Sequence, residues 1–183
     1  ASNTELCPTR FFSGDPLYLP GREPSPEEVS RRRELYWKPY HAALAEELAR
    51  IKAQHGYVLL WDAHSIRSEI PWLFEGVLPD LNIGTAGGAS ADARITQAVA
   101  QAAAAYSDVT QAVNGRFKGG YITRRYGNPQ QHVHAIQLEM CQSLYMSEEP
   151  PFTYLEALAA RVQPVVRDMM TAALDACRQL YGH

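Results

Sequence analysis

The sequence predicts an α/β protein, a three-layer sandwich with a mostly parallel or mixed sheet. Three observations carry the prediction. A continuous apolar run at 57–61 follows a long helical pattern that stops at His55-Gly56. Further strand-like runs at 109–113 and 132–141 follow a helical stretch and a glycine-rich stretch. A long amphipathic pattern closes the chain. Alternation of helix and buried strand belongs to layered α/β domains, and 183 residues suit one domain with a sizeable core.

Residues 1–24, with CPTRFFSGDPLYLPGREP, read as extended segments and turns. Ser25-Pro26-Glu27-Glu28 is a helix start: serine caps, proline suits the first helical position, and Glu28 completes a capping box. Val29, Tyr36, Tyr40, Leu44, Leu48 and Ile51 recur at helical spacing. Pro39 inside that pattern predicts a kink or a break, and Gly56 predicts the stop. The run YVLLW reads as a strand buried on both faces, as in a parallel sheet. WDAHSIRS then stands at its carboxyl end. Residues 66–90 read as one long connection, of a kind more often functional than idle. An alanine-rich helix is expected at 91–106 with a cap near Ser90. NGRFKGGYITRRYGNP reads as a basic, glycine-rich loop. The last helix is expected from a Thr153…Glu156 box to about Leu180. Leu155, Leu158, Val162, Val166, Met169, Ala173 and Cys177 share one face, and Pro164 should bend it.

Composition narrows the function classes. The chain is 46% hydrophobic and 20% charged with a net charge of -3, which leaves no electrostatic footprint for nucleic acid or an anionic membrane. No apolar run is long enough to span a bilayer, and the first residues lack the plan of a signal peptide. Cys7, Cys141 and Cys177 lie far apart and form no CxxC pair, which argues against a disulfide framework or a cysteine-rich zinc site. The expectation is a reduced, cytoplasmic, soluble protein without nucleic-acid or membrane partners.

In such sheets ligands bind beyond the carboxyl ends of the strands. His64 in WDAHSIRS can ligate a metal, and Asp62, two residues earlier on the same face of an extended chain, can orient its ring. The same pair also fits a structural histidine bonded to Asp62. Glu139 lies in the apolar run AIQLEM, where a carboxylate is costly unless paired or at a cleft. It can serve as a general base, or stand at a strand end facing solvent. Arg116, Lys118, Arg124 and Arg125 gather with Asn114 among glycines. Arginine binds carboxylates bidentately, so the loop suits a small acidic ligand. A solvated basic loop is the alternative. His132 and His134 have strand spacing but no third ligand nearby, and fit structural histidines better. His41, His55 and His183 point to no chemistry, and GTAGGAS lacks the lysine and spacing of a nucleotide loop.

The segments CPTRFFSGDPLY, YWKPYHAAL, DAHSIRS, PWLFEGVLPDLNIGT, NGRFKGGYITRRYGNP and HAIQLEM occur in this order over nearly the whole chain. Together they resemble the N-formylglutamate amidohydrolases, the deformylases of histidine degradation. That family is similar to zinc carboxypeptidases and aspartoacylases. The resemblance implies a zinc-carboxypeptidase-like (phosphorylase/hydrolase-like) fold, with 1–183 as one domain corresponding to the C-terminal part of the family's domain. It implies zinc-dependent hydrolysis of N-formyl-L-glutamate to L-glutamate and formate. It implies His64 as a metal ligand with Asp62 behind it, and Glu139 as the catalytic carboxylate. Arg116 and Arg124 become candidates to hold the substrate's carboxylates, with Arg67, Asn114 and Lys118 nearby. Arg125 stands where relatives are expected to carry histidine and receives no role. The family's other metal ligands, in a PHSG-like segment and an acidic residue after it, are expected upstream of this chain, as is a DLNR-like substrate motif. Zinc in a catalytic site takes three protein ligands and a water, so the chain alone is expected to bind zinc poorly. Two other outcomes fit the same residues: a different N-acyl amino acid amidohydrolase, or an incomplete fragment that binds acidic amino acids without turnover. An oligomer is compatible with either.

Overall fold

Ser25 starts the first helix as predicted: its hydroxyl accepts from the Glu28 N–H, and Pro26 takes the first position. The reciprocal half of the capping box is absent, because the Glu28 carboxylate turns to Arg31 and Arg32 instead. The structure, a computed structural model, describes residues 5–182. His183 lies outside the described residues. Helix α1 (Pro26–Arg32) runs through a wide π-type turn (Arg33–Trp37) into α2 (Lys38–His55). The wide turn sits just before Pro39, where a donor is missing and the ring crowds the preceding turn. Gly56 ends α2 at φ 78°, a left-handed cap that favours glycine.

Among the described residues four strands form one mixed sheet: β1 (Val58–Ile66), β2 (Leu81–Gly84), β3 (Gln111–Val113) and β4 (Val133–Cys141), in the order β1-β4-β2-β3. β1 and β4 are parallel, β2 and β3 are parallel, and β2 meets β4 antiparallel. The helices α3 (Ala93–Ala104), α4 (Tyr121–Tyr126) and α5 (Glu156–Tyr181) complete the layers.

Several expectations are corrected. β1 does not stop at Trp61; it continues to Ile66, so Asp62 and His64 lie within the strand. It is not buried on both faces, because among the described residues it is an edge of the sheet and Ala63, His64 and Ser65 are exposed. The expected connection at 66–90 contains β2, four fully buried residues that Pro79 and the following glycines disguised. The basic loop contains the short helix α4. Asp92, not Ser90, caps α3 by accepting from the Arg94 N–H. Ser90 instead donates to the Ala135 carbonyl at 2.7 Å. Thr153 does not cap α5, which begins after Leu155 without a side-chain cap. The buried face of α5 is Ala159, Val162, Val165, Met169, Ala173, Ala176 and Cys177, turned slightly from the predicted stripe, and Leu155 and Val166 stay partly exposed.

Side chains alternate across a strand, and this divides the sheet cleanly. On one face Leu81, Ile83, Ile136 and Leu138 pack against Ile95 and Val99 of α3 and Val165, Met169 and Ala173 of α5. Each large aliphatic side chain buried there contributes about 1.5–3 kcal/mol. His134 faces the same side. It accepts from the Asp92 N–H at 3.2 Å and meets the Tyr181 hydroxyl at 2.7 Å, which pins the end of α5 to the sheet. An apolar groove of about 1070 Å³ runs between β1 and α5, lined among others by Leu59, Trp61, Val162, Met170 and Leu174. It contains none of the residues singled out for chemistry. The opposite face carries the polar residues described next, with a small apolar cluster of Ile66, Ile70, Leu78 and Cys141 at its end.

Candidate active site

Register places Asp62 opposite Gln137 and His64 opposite Glu139 on β1 and β4. On the other side of β4, Gly84 is opposite Gln137 and Asn82 opposite Glu139. These six positions share one face of the sheet by alternation. The structure therefore places Asp62 and His64 on one face, as their spacing in WDAHSIRS suggested, and brings Glu139 to the same face.

His64 Nε2 lies 2.9 Å from Asp62 Oδ1. The hydrogen bond to Asp62 holds the imidazolium form and raises the pKa of His64, helped by the negative charges of Asp62 and Glu139 and opposed by partial burial. Glu139 is only 7% exposed. Burial pushes its carboxyl pKa up and the charge of Asp62 adds to that, while His64 and a hydrogen bond from Gln137 pull it down. A desolvated carboxylate beside an imidazole has the character of a general base.

Gln137 is the residue that sequence reading missed. Its Nε2 donates to Glu139 Oε2 at 3.3 Å, and its Oε1 accepts from the Gly120 N–H at 2.6 Å. The available signal was the second polar residue at i, i+2 spacing in HAIQLEM. Glu148 was also missed. It accepts from Ser68 N and Oγ at 2.7 and 2.6 Å and from Ser143 N at 3.0 Å, which ties down the chain just after β1. Nothing local in the sequence marks it. His41 bonds to the Tyr126 hydroxyl at 2.8 Å, beside Trp37 and Tyr121, and so joins α2 to α4.

The basic loop comes over this face, but its cations are not all turned to one point. Arg124 Nη1 donates to the Gly119 carbonyl at 2.7 Å. Arg116 donates to the Leu73 carbonyl. Lys118 is exposed, and its own carbonyl accepts from Ala86 N–H at 2.6 Å. Arg67 forms an ion pair with Glu149 past the end of β1. Asn114, at φ 52°, spends its amide on the turn after β2: Oδ1 accepts from Thr85 N and Gly87 N, and Nδ2 donates to Thr85 Oγ1. Ser65, next to His64, points to the other face and bonds to the Tyr145 hydroxyl at 2.8 Å.

His64 with Asp62 is a histidine oriented by a carboxylate, a pair able to contribute one ligand to a metal. Among the described residues no three His, Cys, Asp or Glu side chains gather to hold a metal ion. The described donors thus do not fit the three-ligand site of a catalytic zinc, and no chemical step below runs through a metal.

A sheet face with a buried glutamate across from a carboxylate-held histidine, under a glycine-rich basic loop, now has relatives to be set against. The sequence model of the family described as N-formylglutamate amidohydrolase matches residues 1–146. The chain belongs to the N-formylglutamate amidohydrolase family. It is 51% identical over 184 aligned positions to an N-formylglutamate deformylase of Pseudomonas aeruginosa, covering 99% of this chain and 68% of that protein. It is 50% identical over 173 positions to one of Pseudomonas putida, covering 94% of this chain and 65% of that protein. The crystal structure of N-formylglutamate amidohydrolase from Ralstonia eutropha JMP134 superposes with a TM-score of 0.73 at 25% identity, over 90% of this chain and 57% of that one. The chain thus spans roughly two thirds of the curated family members it matches, and its mixed sheet with flanking helices has the fold of this amidohydrolase family. Among the described residues no helix is long and apolar enough to cross a membrane.

Proposed function

We propose that this chain takes part in hydrolysing N-formyl-L-glutamate to L-glutamate and formate, a step of histidine degradation in the cytoplasm. The observation that carries the reading is Glu139: a buried, desolvated carboxylate across from His64 and linked through Gln137 to the basic loop. Glu139 takes a proton from the attacking water as its oxygen adds to the formyl carbon. It then returns that proton to the amide nitrogen as the C–N bond breaks. His64 stands opposite the carboxylate in the strand register. Arg116 and Arg124 now donate to neutral backbone carbonyls, and a substrate carboxylate is a stronger, bidentate partner for either. Lys118 and Arg67 add positive charge around them. Asn114 acts indirectly, by holding the turn against which the loop rests. Three free thiols accord with the cytoplasm.

The cofactor proposed in this reading is one zinc ion, with His64 as a ligand and Asp62 orienting its ring; the described donors by themselves do not complete such a site. The test is formate release from N-formyl-L-glutamate with and without added zinc, beside N-acetyl-L-glutamate and N-formyl-L-aspartate, together with elemental analysis of the dialysed protein. Formate release that vanishes in Glu139→Gln supports the hydrolase. A second reading is favoured by the incomplete donor set among the described residues. It makes the chain a binding unit for acidic amino acids, and tight glutamate binding without turnover under any metal would establish it.

A further inference from the structure

We propose that Gln137 is a positioning residue that joins the general base to the substrate loop; this rests on the reading of Glu139 just given. A primary amide has one accepting end and one donating end. Oε1 of Gln137 is committed to the Gly120 N–H at 2.6 Å, so the NH₂ end must face Glu139, which it reaches at 3.3 Å. Gln137 is 5% exposed, so neither end has water as a ready substitute.

The loop on the far side of this bond is held by close backbone packing. A Cβ on Gly84 would stand 2.6 Å from Gly119 N and 2.7 Å from the Lys118 carbonyl carbon, so the bare strand backbone leaves the space in which the loop lies. A Cβ on Gly120 would come within 3.2 Å of Gln137 Oε1. Gly119 adopts φ 109°, and its carbonyl accepts from Arg124. The backbone at 118–120 therefore carries Lys118 and the anchor of Arg124, and Gln137 is its hydrogen-bonded link to Glu139. Placement of the cations and aim of the base are set by one side chain.

Two substitutions separate the two bonds. Gln137→Glu keeps an oxygen for the Gly120 N–H but replaces the obligatory donor to Glu139 with a carboxyl group that competes for the same proton. Gln137→Met keeps the volume and removes both bonds. The readouts are amide hydrogen exchange at Gly120 by NMR, L-glutamate binding by calorimetry, and kcat and KM for formate release. In Gln137→Met, Gly120 exchange speeds up about tenfold or more, glutamate binds about tenfold more weakly, and kcat falls with a rise in KM. In Gln137→Glu, exchange and binding stay within about twofold of wild type while kcat falls about tenfold or more. A residue that only fills space would leave Gly120 exchange unchanged in the methionine variant, and that result overturns the proposal. So would equal effects of the two variants on kcat and KM. If the wild-type chain releases no formate, the hydrolase reading fails by itself, while Gly120 exchange and glutamate binding still decide whether Gln137 anchors the loop. Gln137→Asn, polar but one methylene short, breaks the same bonds should the methionine variant not fold.

Discussion

Neighbouring residues of β1 and β4 go to opposite faces of one sheet, and those faces differ in everything but their backbone. Toward α5 stand Trp61, Ile136, Leu138 and Met140, with Ile136 and Leu138 deep in a core closed by Val165 and Met169 and the other two packed against it. Toward the basic loop stand Asp62, His64, Gln137 and Glu139. The apolar face draws its stability from area removed from water. The polar face holds a carboxylate whose ionisation burial disfavours, glycines that leave room for a loop, and an amide with both ends committed. The lesson is that one face stabilises the fold while the other draws on that stability to hold its groups ready.

The sharpest way to break this contrast is Glu139→Gln. Turnover is expected to fall by about 10²–10⁴-fold. Stability to urea is expected to hold or rise, because a buried carboxylate has been replaced by a neutral amide. A large loss of stability with turnover intact would reverse the roles assigned to the two faces. On the apolar face, Met169→Ala removes a side chain of 0% exposure. It should cost about 2–5 kcal/mol in equilibrium unfolding and leave kcat nearly unchanged in the folded fraction.

Gly84→Ala tests the boundary between the faces. Its Cβ would meet the backbone of Gly119 and Lys118, so about 1–3 kcal/mol of stability should be lost, with weaker glutamate binding as the loop is pushed away. The smallest effect is a pH dependence on the apolar face. Burial holds the pKa of His134 below its ordinary 6.5, with Asp92 opposing and His132 and Arg94 reinforcing. The neutral ring is favoured in the fold, so this contribution is full above pH 6.5 and is lost as pH falls through 6.5 toward the lower folded value. Between pH 7.5 and 5.5 the urea midpoint of the wild type should fall relative to that of His134→Gln.

Much of this was legible locally. The Ser25 cap, the Gly56 stop and the strand at 133–141 follow from residue types acting on their own backbone. Asp62 and His64 stood out as polar residues at i, i+2 spacing after an apolar run, and Glu139 as a carboxylate within one, where burial is costly without a purpose. β2 was not legible, since a strand of four residues has little period to show and is identified by the neighbours it pairs with. The length of β1 escaped for a related reason: WDAHSI looks like a strand end until β4 is seen to pair with it residue for residue. The roles of Glu148 and Asn114 depend on partners 80 and 29 residues away.

The sequence by itself determined the start of α1, the end of α2, the class of fold and the residues able to do chemistry, because capping, periodicity and the cost of burying charge act over a few neighbouring residues. Tertiary structure alone decided that His64 lies opposite Glu139, that Ser65 turns away, and that Gln137 joins the base to the loop. Strand register and the close approach of glycine backbones are properties of segments far apart in the chain, and no local pattern encodes them.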